Sequence, residues 1–291
     1  MVDMLKLGNA DLFRVEEMVM TSPLAFYTED EDLIAANWSW LFPKYVREDR
    51  ECPSIFQSWI VQVDGKIIVI DPCTGNGRNF PDFPPAHMLD TPFIERFAAT
   101  GIKPTDVDYV FCTHLHMDHC GWNTELRGGK YVPTFPNAKY IMVQKEFDRW
   151  DPRRPGHVPI PQNVGTFENS VLPVLEAGLA EIVPANHRIN DHFHVEPAFG
   201  HTAGHSLLRI ETDAREIYFA GDAFHHILEV HYPELHDKAA EAPDVELATR
   251  HRILDECVAK QALLIPAHFP DPFGGTVSKH GSHYHFTPFK G

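Results

Sequence analysis

The chain has 291 residues, 43% of them hydrophobic, enough to bury a sizeable core as one large domain or two small ones. A net charge of -16 argues against binding a nucleic-acid phosphate backbone or an anionic membrane surface, because proteins that do so present basic faces. Five cysteines, an odd number with no C-x-x-C pair, argue against a disulfide framework or a structural zinc ribbon. The first seven residues hold no basic stretch followed by a long apolar run, so neither a signal peptide nor a membrane span is expected, and a reducing cytoplasm is the expected location. Residues 11–20 alternate enough, through Phe13, Val15, Met18 and Met20, for an opening strand. Residues 21–50 form an aromatic N-terminal extension with Phe26, Tyr27, Trp38, Trp40 and Tyr45. It reads either as a surface that packs on a second subunit, giving a homodimer, or as the roof of a substrate pocket, with a short packed helix explaining part of both.

Residues 54–63 and 66–70 read as a hairpin across Asp64-Gly65, a favoured two-residue turn. Ile67 to Ile70 is a continuous apolar run, as a strand buried on both faces should be, and Asp71-Pro72 ends it. Residues 75–92, rich in Gly, Asn and Pro, read as an irregular loop carrying Phe83, and 91–100 fits a short helix. Val107 to Phe111 is a second buried strand. Directly after it come His114, His116, Asp118 and His119, the pattern H-x-H-x-D-H. Residues two apart on extended backbone point the same way, so His114 and His116 can reach one metal while the following turn aims Asp118 and His119 at a second. Imidazole with carboxylate suits zinc, iron, manganese or cobalt better than magnesium or calcium. Cys112 and Cys120 flank this motif and read as small packing residues rather than ligands.

Gly128-Gly129 marks a turn, 138–144 a strand, and 145–150 the start of a helix. Residues 147–179, Pro-rich and with a helix interrupted at Pro173, read as an insertion between core strands near the site mouth. Short strands at 181–183 and 193–198 lead to Gly200-His201-Thr202-Ala203-Gly204-His205. A hairpin of 206–211 and 216–220 delivers Asp222. Residues 244–260 are the clearest helix, with Leu247, His251, Leu254 and Val258 recurring on one face. A strand at 262–265 delivers His268, and a last strand is expected at 284–286.

The H-x-H-x-D-H stretch, the Gly200–His205 segment, Gly221-Asp222 and Pro266-Ala267-His268, in this order, resemble the metallo-β-lactamase superfamily. The resemblance implies an α/β fold, a four-layer αβ/βα sandwich formed by one domain over 1–291, with the metal site at the edge between two sheets. It implies that His114, His116 and His201 hold one metal, that Asp118, His119 and His268 hold a second, and that Asp222 bridges them. Asp71 would support the set by bonding to the motif loop. Two divalent ions would lie about 3.5–4 Å apart and share a hydroxide that attacks an ester, lactone, amide or phosphoester. Zinc is the metal implied, with iron and manganese as alternatives.

Within that superfamily the segment from His268 to Gly275, and Asp222-Ala223-Phe224-His225 running on to Tyr232-Pro233, are similar to the lactonase and methyl-parathion-hydrolase-like branch. Acyl-homoserine lactonases place a Tyr where this chain has His225. His225 is therefore a candidate general acid beside Asp118, or else a polar neighbour of the site. The basic C-terminal residues that glyoxalase II uses for glutathione are reduced here to Lys279 and Lys290. The resulting expectation is a binuclear hydrolase that opens a lactone or cleaves an apolar aryl or alkyl ester. The alternatives are a phosphotriester hydrolase, a glyoxalase II-like thioesterase and, from another class, an iron-dependent dioxygenase. A pocket of Phe26, Trp38, Trp40, Phe83, Phe93 and Phe273 would suit such a small apolar substrate.

Overall fold

The computed structural model describes residues 3–289, so Met1, Val2, Lys290 and Gly291 lie outside it. Strands β1 (Asp3–Leu7), β2 (Ala10–Pro23), β3 (Glu51–Val63) and β4 (Lys66–Ile70) pair antiparallel in chain order. The next three, β5 (Tyr109–Phe111), β8 (Lys139–Val143) and β9 (Ala180–Val183), add on in parallel and complete a seven-stranded sheet. Between them β6 (Thr124–Arg127) and β7 (Lys130–Pro133) make a separate two-stranded hairpin across Gly128-Gly129. A second seven-stranded sheet runs in chain order through β10 (His187–Arg188), β11 (Phe193–Pro197), β12 (Ser206–Glu211), β13 (Glu216–Gly221), β14 (Leu263–Pro266), β15 (Gly275–His280) and β16 (His283–Pro288). Only β13 and β14 are parallel in that sheet. Seven α-helices accompany the strands: α1 (Glu31–Leu41), α2 (Phe93–Ala98), α3 (Met117–Cys120), α4 (Gln144–Trp150), α5 (Leu172–Glu176), α6 (Ile227–His231) and α7 (Pro243–Lys260).

Three apolar clusters define four layers. Leu12, Val61, Ile68 and Phe111 of the first sheet meet Leu208, Ile210, Phe219 and Ile265 of the second. On the far side of the first sheet Val69, Val110 and Tyr140 bury Phe93, Phe97, Phe147 and Val174 of the helical layer. On the far side of the second, Leu207, Tyr218 and Leu264 bury Ile253, Leu254 and Cys257 of α7 together with Ile34 and Leu41 of α1. A strand covered on both faces has no polar side to show, which is why β4 reads as an unbroken apolar run. This is the αβ/βα sandwich expected from the sequence.

The parallel pairs place the site. Parallel neighbours end on the same edge, so the loops after β4 and β5 emerge together, as do those after β13 and β14. Hydrogen bonds stitch the two edges, among them Ile55 N to His268 O at 3.0 Å, Gln57 Nε2 to Ala267 O at 2.9 Å, and Ser206 N to Thr113 O at 2.9 Å.

Within residues 21–50 a short helix packs as core: Asp30 caps α1 by accepting from Asp32 N and Leu33 N, and the helix docks on the second sheet. Residues 167–176 are helical, and the break expected at Pro173 is a change of helix type: a π-helical stretch, Phe167–Val171, gives way to α5, whose first turn holds Pro173. The buried face of α7 is Glu246, Thr249, Arg250, Ile253, Leu254 and Cys257, whereas His251 is exposed. All five cysteines are buried and free. Among the described residues no helix is long and apolar enough to cross a membrane.

Candidate metal centre

The strand ends dictate the local geometry. β4 closes on Asp71, whose φ of 47° turns its carboxylate back under the following strand's loop. Its two oxygens accept from Thr113 N at 2.7 Å and Thr113 Oγ1 at 2.9 Å, and Oδ2 lies 3.0 Å from His119 Nδ1. Beyond β5 the chain bends at Thr113, His114 and His116, burying Leu115 in the core while His114 and His116 are brought together. The short helix α3 then lifts Asp118 and His119 onto the same cluster. In the second sheet β13 ends at Gly221 with φ 53°. A Cβ there would lie 2.6 Å from His205 Nε2 and 2.7 Å from Thr113 Oγ1, so only glycine fits. Asp222 N donates to His205 Nε2 at 3.0 Å, while His205 Nδ1 reaches Ala198 O at 2.9 Å. With both nitrogens engaged, His205 orients Asp222 and is not itself a ligand.

The seven residues converge as two adjoining groups. In the first, His116 Nδ1 lies 2.9 Å from His114 Nε2 and 3.1 Å from His201 Nε2. Asp222 Oδ2 is 3.4 Å from His201 Nε2 and 3.7 Å from His114 Nε2. In the second, Asp118 Oδ2 is 3.6 Å from both His119 Nε2 and His268 Nε2. Asp222 adds Oδ2 at 3.3 Å from His119 Nε2 and Oδ1 at 3.2 Å from His268 Nε2. The donor atoms of His114, His116, His201 and Asp222 lie within 4.8 Å of one another, as do those of Asp118, His119 and His268. Asp222 thus faces both, as one carboxylate with two oxygens can.

The donor chemistry fits divalent cations. His119 Nδ1 is taken by Asp71, His268 Nδ1 by Ile55 O at 3.1 Å, and His114 Nδ1 by Thr113 Oγ1 at 3.1 Å. Each bond turns the Nε2 atom inward, the arrangement that fixes a metal-ligating imidazole. Burial holds His116 down at about 4 and pushes His114 and His201 well below the usual range, so their nitrogens are neutral lone-pair donors at pH 7. His119 goes the other way. Burial opposes its charge, but Asp222, Asp118 and Asp71 together raise its pKa well above normal. The positive charge that these carboxylates draw to its Nε2 is one that a metal ion would supply instead. His119 Nε2 and Asp222 Oδ1 are also buried atoms without a hydrogen-bond partner, a costly state unless something else satisfies them.

His225 closes the cluster. Its Nε2 is 3.0 Å from Asp222 Oδ2, and its Nδ1 is 2.8 Å from Asp237 Oδ2. Burial would lower its pKa, but the carboxylates of Asp237 and Asp222 outweigh this and hold it well above the usual value. Asp237 belongs to a fully buried network that no sequence pattern announces. Arg250 Nη2 lies 2.9 Å from Glu229 Oε1, 3.0 Å from Glu246 Oε2 and 3.3 Å from Asp237 Oδ2. Glu229 Oε2 in turn accepts from His225 N and His226 N at 2.6 and 2.9 Å. Glu146 was equally invisible in the sequence. Its carboxylate accepts from Leu115 N, Trp150 Nε1, Thr202 Oγ1 and Gly204 N, tying the loop of His114 and His116 to that of His201. The only available signal was an acid after each strand or helix start, which is common on solvated faces.

A cavity of about 370 Å³ opens on His116 and Asp118, walled by Phe26, Phe56, Phe83, Met117 and Ile160 with Lys238 at its rim. Of the rings proposed for a pocket, Phe26 and Phe83 line this cavity. Trp38, Trp40, Phe93 and Phe273 do not line it. Trp38 stacks on Phe42 and Trp40 on His231, both against the second sheet's helical layer. Phe93 is wholly buried against Trp122, and Phe273 takes the Arg14 guanidinium over its ring. Each of these rings has a packing partner that takes its face away from the cavity.

Residues 57–283 match the family described as the Metallo-beta-lactamase superfamily. The N-acyl homoserine lactonases AttM of Azorhizobium caulinodans and of Agrobacterium fabrum are each 34% identical, over 64 and 55 residues. These stretches cover 22% and 19% of this chain and 21% and 18% of the relatives, so the aligned part spans about a fifth of their length. Among solved structures, the hydrolase AbOPH superposes with a TM-score of 0.83 at 20% identity, covering 99% of this chain and 97% of that one. AidC, described as a dizinc quorum-quenching lactonase in complex with a product, superposes with a TM-score of 0.77 at 18% identity, with the same coverage. At these identities the likeness establishes the fold.

Proposed function

The chain belongs to the metallo-β-lactamase superfamily, and on that footing we propose that it is a metal-dependent hydrolase that opens a lactone or cleaves an apolar ester. The observation that carries this reading is the pairing of two adjoining ligand groups with an apolar cavity that opens on them. The lactonase descriptions of AttM and AidC bring lactones to the front of the substrate list. Divalent ions at this site, zinc first, would polarise the scissile carbonyl and make water nucleophilic near neutral pH.

The chain's own residues do the rest. Phe26, Phe83 and Met117 hold the substrate's apolar arm and exclude water beside the reacting bond. Asp118, at the cavity floor, orients the attacking water by accepting its proton. His225 holds a proton at Nε2, fixed from behind by Asp237 at Nδ1, and delivers it to the leaving oxygen. His225→Phe is therefore expected to lower kcat about 10²–10³-fold for alkyl esters and lactones. The loss should be smaller for p-nitrophenyl esters, whose leaving group needs no proton. Equal losses for both classes at unchanged metal content would remove the proton-donor role.

The direct test is a turnover panel on the purified chain loaded with zinc, manganese or iron: lactones, aryl esters, a phosphotriester, a β-lactam and a glutathione thioester. Lactone or aryl ester turnover should lead. Failure on every hydrolytic substrate, with oxygen uptake on thiol substrates by the iron form, would replace hydrolysis with dioxygenase chemistry.

A further inference from the structure

We propose that Ile160 sets the length of apolar arm the site accepts, by closing the cavity at the metal centre off from a second cavity behind it. The idea rests on the proposed reading that the site takes a substrate with such an arm. The second cavity, about 260 Å³, lies over Trp150 and Phe167 and is bounded by Pro152 and Val164. Only two residues, Ile160 and Asn163, line both cavities.

The two differ in what holds them. Asn163 is buried, and its Nδ2 donates to Leu115 O at 3.0 Å, which pins it to the main chain between His114 and His116. It cannot move without disturbing the ligand loop. Ile160 is half-buried, and although its backbone O accepts from Asn163 N at 2.9 Å, its side chain is held by packing alone, against the cluster that contains Trp150 and Phe167. That side chain has no polar atom and no bond to break. An arm that enters from His116 and Asp118 past Met117 therefore meets an aliphatic plug, with unfilled apolar space on its other side. His157 and Glu168 also line that second space, so an arm with a polar tip would find partners there.

The test is calorimetric binding of sodium alkanoates from four to twelve carbons to zinc-loaded wild type, Ile160→Val and Ile160→Ala, with thermal midpoints as the folding check. Each methylene that enters apolar space should tighten binding about fourfold. In wild type this rise should stop at a fixed length. In Ile160→Ala it should continue for two or more further carbons, raising the ratio of long- to short-chain affinity at least about tenfold. The valine variant should fall between and keeps the test usable if the alanine variant folds poorly. An unmoved stopping length in both variants, or no alkanoate binding by wild type, overturns the proposal. Ester turnover by the same proteins is read separately. A moved limit without turnover would refute the hydrolase reading alone, and turnover with an unmoved limit would refute the role of Ile160 alone.

Discussion

Asp222→Asn is expected to lower kcat/KM for the leading ester or lactone by about 10³-fold or more and to reduce bound metal from two ions per chain to one or fewer. The argument is geometric. Asp222 Oδ2 faces His114, His119 and His201, while Oδ1 faces His268. An amide of the same shape is neutral and has one acceptor oxygen, so whichever way it is turned an N–H group faces either His268 or the nitrogens of His114, His119 and His201. Removing a partner that merely orients a ligand typically costs about 10–100-fold in metal affinity or activity, and loss of a shared ligand must exceed that. The substitution keeps volume and the bond from Asp222 N to His205, so the fold should survive. Metal content and turnover measured on the same preparation decide the matter. Two ions retained with activity within tenfold of wild type would show that the carboxylate is not shared.

Arg250→Met should carry the largest cost in stability, about 3–5 kcal/mol. Arg250 is completely buried, beside Glu229, Asp237 and Glu246, and also donates to Ala223 O at 2.7 Å and to Leu235 O. Its removal takes the cation from Glu229 and Glu246 and leaves Asp237 with His225 alone. The cost has a pH signature. In the folded chain Glu246 is pushed up to about 8, mostly by burial, with Asp237 and Glu229 adding and Arg250 opposing. The folded state therefore keeps a proton that the unfolded chain, with a value near 4.5, gives up. A raised folded pKa means that stability from this group is full below the unfolded value and declines as pH rises through about 8. In Arg250→Met the opposing pull is gone, so the decline should extend to higher pH. Urea midpoints between about pH 5 and pH 9 would record both effects. A variant as stable as wild type across that range would mean that the network contributes little. Because Asp237 also backs His225, a smaller fall in kcat should accompany the loss of stability.

The sequence carried the site better than its support. Metal ligands are confined to a few residue types, and several must sit on one turn at a strand end, so His114, His116, Asp118 and His119 stand out from spacing alone. Gly221 and Asp222 stand out because a strand stops there. Turn chemistry was equally local: Asp64-Gly65 joins β3 and β4 as expected. By contrast, Glu146, Asp237, Glu246 and Arg250 are charged residues on ordinary-looking segments, and only tertiary packing buries them. The apolar rhythm of α7 pointed to Leu247, His251, Leu254 and Val258, of which Leu254 is fully buried, and its inner face is built partly from a buried ion pair. Trp38 and Trp40 looked like pocket residues because aromatic content does not say which surface a ring will cover. The strand β1 and the strands β6 and β7 were not read, although the turn at Gly128-Gly129 between the last two was: unlike β4 or β14, they carry no continuous apolar run.

The measurement closest to the central claim is anomalous scattering at the zinc edge from crystals of the zinc-loaded chain, with metal content determined on the same sample. Two peaks per chain are predicted. One should be ligated by His114, His116 and His201, the other by Asp118, His119 and His268, with Asp222 reaching both. A single peak, or zinc held away from these seven side chains, would contradict the account.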